Sequence, residues 1–393
     1  MIAENNMRTV GEHKTAVAGI LTGIDLDSVT NVNGALARAA RITAQKTDAP
    51  EAIGRQAITL YDGVFTYAIS ENIFGTSLMD FRPQGNSRTF LDFVYKQPIE
   101  MFDRTKHLLP NGYTLAVEYT KGTPLLRVAT PKPSAKVILD SLKDDTGWTA
   151  AGSASGLTED NTVYYESPAS LRFTLTGSST GTLTKTITSV DVSEYEDVSV
   201  IFLAMRIPDG ATVSNLTNVV IRIGSSSTDY DEVTETDGFL GAWTAGDWLL
   251  TAFDLSASTS TGTPDWNAID YVQLRFAHTA TLTNFRVGAL WMALPSPHEV
   301  IYQTAAVFMA DATPSTQITD DDDTILFNDG VMAIYEYISA KEIALQMAGG
   351  EYTAQIKGFD ETLNGQGDEP GLLKLFRADN PSEELRNVGS YYD

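Results

Sequence analysis

The sequence predicts an α+β multidomain chain: a mixed, partly helical host domain carrying an inserted antiparallel β-sandwich, or jelly roll. Three observations carry this reading. From about Val137 to Ala293 apolar and polar residues alternate over short runs, as in Ser170-Leu171-Arg172-Phe173-Thr174-Leu175, Val219-Val220-Ile221-Arg222-Ile223 and Tyr271-Val272-Gln273-Leu274-Arg275-Phe276. Turn clusters such as Thr176-Gly177-Ser178-Ser179-Thr180-Gly181 and Ser260-Thr261-Gly262-Thr263-Pro264 separate the runs, which is strand patterning. Proline-bearing joints, Pro131-Lys132-Pro133-Ser134 and Leu294-Pro295-Ser296-Pro297, flank the stretch, and helical periods occur only outside it. The expected domains are therefore 1–135, the N-terminal part of the host; 136–295, the inserted β-domain; and 296–393, the rest of the host with a helix pair and an extended tail.

Along the chain, Lys14 to Leu21 is weakly helical and closes at Gly23. Asp27-Ser28 can cap a helix through Ala35 to Ile42, whose Ala and Arg content favours that state. Pro50 suits a helix start, so Glu51 to Leu60 reads as a second helix. Strands are expected at Val64–Ile69, Tyr113–Tyr119 and Leu125–Ala129, the last two joined by the turn Lys121-Gly122-Thr123-Pro124. Past the β-domain, Val300–Met309 reads as a strand. Val331, Ile334, Tyr335, Ile338, Ile343, Ala344 and Met347 then recur at helical steps until Gly349-Gly350. A further helix runs from Glu351 to Leu363, a short one is expected at Leu372–Phe376, and the polar remainder reads as a tail.

Composition limits the function. The net charge of −24 is uneven: residues 1–135 hold 14 Lys+Arg against 13 Asp+Glu, 136–295 hold 8 against 20, and 296–393 hold 5 against 18. Such acidity argues against tight binding to a phosphate backbone, which needs clustered cations. No apolar run reaches a membrane span's length, and Met1-Ile2-Ala3-Glu4-Asn5-Asn6 lacks the basic and apolar parts of a secretory signal. The absence of cysteine removes disulfides and thiolate chemistry and fits synthesis in a reducing cytosol.

No catalytic, cofactor or metal constellation is expected. His13, His107, His278 and His298 lack ligand spacing, no phosphate-binding glycine loop opens a helix, and Asp320 to Asp323 departs from the calcium-loop pattern and suits a loop or helix cap. Asp229, Asp231, Glu232 and Glu235 offer carboxylates for glycoside hydrolysis, but acidic residues are too common here for the grouping to carry information. Trp148 and Trp248 read as structural. Tyr230, Trp243 and Trp266 sit among Ser, Thr, Asp and Gly and suit either a core role or stacking on a sugar ring.

Ser167-Pro168-Ala169-Ser170-Leu171-Arg172-Phe173, Val190-Asp191-Val192-Ser193, the segment Gly246 to Asp254, Thr261-Gly262-Thr263-Pro264-Asp265 and Ile269-Asp270-Tyr271 resemble the carbohydrate-binding-module-like jelly roll that recurs in tailed-phage virion proteins. The flanks, Arg38 to Arg41 through Gln56 to Tyr67 and Asp80-Phe81-Arg82-Pro83-Gln84, are similar to phage structural proteins carrying such an insert. The helix pair Asn328–Leu363 resembles that of head-tail connector adaptors. The resemblance implies a non-enzymatic virion protein, made in the host cytoplasm, that forms a homo-oligomeric ring at the portal. Its partners would be portal and neck or tail proteins, with duplex DNA passing an acidic wall unbound by sequence. Its alternatives are a glycan-binding attachment protein, which would meet surface glycans through Tyr230, Trp243 and Trp266, and a head decoration or fibre protein.

Overall fold

The structure, a computed structural model, describes residues 8–47, 52–70, 73–83, 93–95, 113–120, 123–129, 136–304, 306–310, 313–347, 353–366 and 369–379. The chain divides into two compact units, one of residues 1–58, 66–131 and 298–393 and the other of residues 59–65 and 132–297.

Helix α1 (Val10–Ile20) begins at a capping box in which Thr9 Oγ1 accepts from the Glu12 amide and Glu12 accepts from the Thr9 amide, satisfying two otherwise orphaned donors. Helix α2 (Val32–Thr47) opens where Asn31 Oδ1 accepts from the Gly34 amide, and it buries a small-residue face of Ala35, Leu36, Ala39, Ala40 and Ala44. The Asp27-Ser28 pair instead lies in a single 3₁₀ turn. Strand β1 (Ile53–Leu60) replaces the helix expected over Glu51–Leu60. Its Ile58 and Leu60 are buried while Thr59 is half-buried, a period of two, and Gly54 lies so close to the Tyr302 ring that a Cβ would meet it at 2.5 Å. Sheet pairing overrides the local helical preference. Then come β2 (Thr66–Ala68), β3 (Ile73–Pro83), β4 (Phe93–Tyr95) and the expected hairpin β5 (Tyr113–Thr120) and β6 (Thr123–Ala129). The Pro131–Ser134 strut lies outside the described residues.

The second unit is a two-sheet sandwich. Its strands are β7 (Val137–Asp140), β8 (Thr149–Gly152), β9 (Ala154–Asp160), β10 (Ser170–Leu175), β11 (Ser179–Val190), β12 (Val200–Arg206), β13 (Leu216–Gly224), β14 (Tyr230–Glu235), β15 (Trp248–Asp254), β16 (Thr259–Thr261), β17 (Ile269–His278) and β18 (Leu282–Ala293). One sheet runs β15-β12-β18-β10-β9, with β7 also beside β18, and the other runs β16-β14-β13-β17-β11-β8. Between them lies a continuous core that includes Leu171, Phe173, Ile201, Leu203, Met205, Ile221, Leu274, Phe276 and Phe285. Each buried Phe in the mutually packed trio Phe173, Phe276 and Phe285 contributes about 1.5–3 kcal/mol by removing apolar surface from water. Residues 59–65 belong to this unit through Tyr61, edge-on to Phe202 at 5.2 Å, and through the Trp291 indole, which donates to the Asp62 carbonyl.

In the first unit, β19 (Ser296–Thr304) lies between β1 and β3, and β20 (Phe308–Ala310), β21 (Thr313–Ser315) and β22 (Thr324–Ile325) form a small sheet. The expected helix pair is present as α3 (Asp329–Gln346), capped by Asn328, and α4 (Thr353–Asn364), followed by α5 (Leu372–Asp379). Their apolar residues share a core with α1 and α2. The tail beyond residue 379 lies outside the described residues. No helix among the described residues is long and apolar enough to cross a membrane.

Candidate functional site

The outer face of the β14-β13-β17-β11 layer holds a connected polar network. Strand alternation sends Val219, Ile221, Ile223, Val272, Leu274 and Phe276 into the core, so the residues between them face outward. Register then fixes who meets whom. Arg222 stands opposite Glu232 on β14 and Gln273 on β17, and Gln273 stands opposite Thr184 on β11. In the row beside it, Gly224 separates Tyr230 from Tyr271, and on the other side Val220 stands opposite Arg275. Gly224 leaves no room for a side chain, since a Cβ would fall 2.0 Å from the Asp229 carbonyl oxygen.

These side chains are joined. Arg222 Nε donates to Glu232 Oε2 at 2.5 Å, and Arg275 Nη1 donates to the same oxygen at 3.2 Å. Arg222 Nη1 donates to Gln273 Oε1 at 3.3 Å, and Gln273 Nε2 donates to Thr184 Oγ1 at 3.0 Å. The Arg222 guanidinium lies 4.5 Å above the Tyr230 ring, whose neighbour Tyr271 is 6.3 Å away between centroids. Burial pushes the Tyr271 phenol up, partly opposed by the positive charge of Arg222, so it remains a neutral hydroxyl. Arg222, Glu232 and Arg275 keep a quarter to a third of their side-chain surface exposed. The face thus offers fixed donors and acceptors, the set that orients a hydroxyl-rich ligand, above two tyrosines that are themselves buried, 9% and 8% exposed.

Of the three aromatics singled out in the sequence, only Tyr230 lies on this side of the sheet, and it is buried at 9% exposed with its ring covered by Arg222. Trp243 and Trp266 are core residues, 6% and 4% exposed. The Trp243 indole donates to Thr251 Oγ1 at 3.3 Å and the Trp266 indole to Asp231 Oδ2 at 3.0 Å, so each polar edge is satisfied inside and neither ring offers a stacking surface. Polar surroundings in sequence did not mean exposure in space. Trp148 is buried as expected, and Trp248 is half-buried beside Tyr165.

The residues missed, Arg222, Tyr271, Gln273 and Arg275, carry a faint signal: each alternates with core residues along its strand, and Glu232 was weighed only as a hydrolytic carboxylate. The carboxylates weighed for hydrolysis do not converge. Asp231 is buried and Glu232 faces outward, because they are consecutive on β14. Asp229 is held below the usual carboxylate range by hydrogen bonds from Ser226, the Thr263 amide and Thr228. Glu235 is raised by burial and by the charges of Asp254 and Asp237. Asp320 to Asp323 forms a hydrogen-bonded turn, in which the buried Asp323 carboxylate accepts from the Thr319 amide and hydroxyl.

No family model and no curated protein sequence matches the chain. Among solved structures it is similar to the family 11 carbohydrate-binding module from Clostridium thermocellum, in complex with a β-1,3-1,4-mixed-linked tetrasaccharide, at 13% identity and a TM-score of 0.30, covering 40% of this chain and 95% of that one. A family 30 carbohydrate-binding module is similar at 14% identity and a TM-score of 0.29, with 42% and 97% covered. The CBM22-1 xylan-binding domain from Paenibacillus barcinonensis is similar at 16% identity and a TM-score of 0.28, with 42% and 96% covered.

Proposed function

We propose that the chain is a non-catalytic glycan-binding protein whose sandwich holds a neutral polysaccharide on the outer face of β14, β13, β17 and β11. The observation that carries this is the outward-facing Arg222-Glu232-Arg275 and Arg222-Gln273-Thr184 network. A sugar ring presents hydroxyls at its edge and C–H groups on its face. Arginine and amide groups held in place bind the hydroxyls with little loss of side-chain entropy, and buried Tyr230 beneath Arg222 helps to fix its guanidinium. Glu232 offsets one of the two positive charges and holds both guanidinium groups in directed hydrogen bonds, which suits a hydroxyl-rich ligand.

The test is affinity electrophoresis and titration calorimetry of the whole chain against soluble neutral polysaccharides, mixed-linkage β-glucan and xylan among them. Binding should weaken by about tenfold or more in Gln273→Ala and Arg275→Gln, each hydrogen bond being worth about 1–1.5 kcal/mol. Trp266→Phe should leave the affinity of folded protein unchanged. Absence of binding across the panel, or indifference to the face variants, overturns the proposal.

A second reading concerns the first unit. The α3–α4 pair is the feature on which the resemblance to connector adaptors rests, and in that reading the chain is a virion neck subunit, made in the host cytoplasm, with portal, neck and duplex DNA as neighbours. Light scattering and negative-stain imaging with portal particles test it: a ring or collar supports it, and a persistent monomer that ignores portal rejects it.

A further inference from the structure

We propose that the outer face of the other sheet carries a second, independent site, built by Arg206, Arg286 and Arg172, for the oxyanion of an acidic sugar. The second unit contains five arginines, Arg172, Arg206, Arg222, Arg275 and Arg286. Two of them form the network above. The other three fall in one row: Arg206 on β12 is the direct cross-strand partner of Arg286 on β18, and Arg286 is the partner of Arg172 on β10. Their chain neighbours Met205, Ile207, Phe285, Val287, Leu171 and Phe173 are all in the core, so the three guanidinium groups emerge on the outer face.

Like charges placed directly opposite one another across strands repel. One buried carboxylate answers two of the three: Asp160 accepts from Arg286 Nε at 2.9 Å and lies 4.0 Å from Arg172. Burial would raise the Asp160 carboxyl, but hydrogen bonds from the Thr162 hydroxyl and amide and from Arg286 hold it far below the usual range, so it remains charged. Arg206 donates its Nε to the Gly246 carbonyl at 2.7 Å and forms no ion pair among the described residues. Its two terminal nitrogens are available to a ligand, and the row keeps an excess of positive charge in a strongly acidic segment.

The surroundings narrow the ligand. A cleft of about 430 Å³ opens beside Arg206 and Arg286, between the turn carrying Asp209 and the hairpin carrying Thr281, Thr283 and Asn284. These groups offer hydrogen bonds to hydroxyls. Across the strand pair on the other side of Arg206 stands the half-buried Trp248, packed at 5.8 Å against Tyr165. A fork-shaped cation, hydroxyl-binding groups and an aromatic flank together fit a saccharide bearing a carboxylate or sulfate, bound by charge-assisted pairs. A bare anion would use only the arginines.

The experiment is titration calorimetry of the whole chain at low and high salt with a galacturonate hexamer, its carboxyl-reduced counterpart and a heparin-derived hexasaccharide. The double variant R172Q/R206Q retains the Arg286–Asp160 pair and should unfold like the parent. The expected result is salt-sensitive binding of the uronate or of the sulfated probe, weakened on the order of tenfold or more in the double variant. Preference between those two probes assigns carboxylate or sulfate. Three results overturn the proposal: binding of neither, equal binding of the carboxyl-reduced probe, or unchanged affinity in the variant. Binding of neutral polysaccharide at the opposite face is measured separately in the same protein, so either site can fail without the other.

Discussion

His13 makes a sharp test of the helical unit. Its imidazole is fully buried, stacked on the Tyr335 ring at 4.1 Å, and its Nε2 shares a hydrogen bond with Ser339 Oγ at 3.0 Å. Its Nδ1 has no partner among the described residues. Burial, with the Arg8 charge adding to it, lowers the pKa from 6.5 to about 3. The neutral ring is therefore the folded form, and protonation favours the unfolded chain. The contribution is complete above the unfolded value and is lost as pH falls from there toward the folded one. Between pH 7 and 5 the loss is about 2 kcal/mol, and over the full shift it is about 5 kcal/mol, at about 1.36 kcal/mol per pH unit.

The assay uses the placement of the chromophores. All five tryptophans, Trp148, Trp243, Trp248, Trp266 and Trp291, lie in the sandwich, whereas the α-helices lie in the other unit. Urea unfolding at pH 7, 6 and 5 is followed by tryptophan fluorescence and by circular dichroism at a helical wavelength. The helical transition should move to lower urea as pH falls while the fluorescence transition moves less. In His13→Gln the extra pH dependence, about 2 kcal/mol over that range, should vanish. Parallel pH profiles for parent and variant would refute the assignment of a neutral buried imidazole.

Four further outcomes follow from the sandwich. Asp160→Asn should cost about 3–5 kcal/mol in urea unfolding, because the largely buried Arg286 guanidinium loses its counter-charge. The stability that Asp160 supplies is present above the normal carboxylate value, and in the parent it should fade only in strong acid, visible as a late acid transition in tryptophan fluorescence. Gly224→Ala should disrupt the β13–β14 pair, since its Cβ meets the Asp229 carbonyl oxygen and Tyr230; loss of soluble folded protein is expected, and a native-like melting curve would contradict it. Trp266→Phe strands the buried Asp231 oxygen and should destabilise by about 1–3 kcal/mol in thermal or urea melts.

Much of the sandwich was legible because the strand period is short and local: an apolar residue at every second position declares which face is the core. Helices α2, α3 and α4 were legible for the same reason at their own period. The segment Ile53–Leu60 misled because its composition tolerates a helix, and only its neighbour β19, far along the chain, makes it a strand. Trp243 and Trp266 misled because loop-like composition says nothing about where an indole turns. Their N–H partners, Thr251 and Asp231, are brought to them by strand pairing. The association of residues 59–65 with the sandwich left no trace in composition at all.

The arginines show where legibility ends. Each of the five stands between two apolar residues, in Leu171-Arg172-Phe173, Met205-Arg206-Ile207, Ile221-Arg222-Ile223, Leu274-Arg275-Phe276 and Phe285-Arg286-Val287, so the sequence alone marks them as outward-facing. Which arginines share a face, and with how many acids, depends on strand order and register. In β13 and β17 two arginines share the half-buried Glu232, so that both guanidinium groups are held in directed hydrogen bonds. In β12, β18 and β10 the buried Asp160 answers Arg286 and Arg172, while Arg206 forms no ion pair among the described residues and faces the cleft. The same residue type, patterned identically along the chain, thus yields one face suited to hydroxyls and another suited to an oxyanion. Salt separates the two: added ions screen the attraction of an acidic sugar to the arginine row and leave binding of a neutral polysaccharide at the other face nearly unchanged.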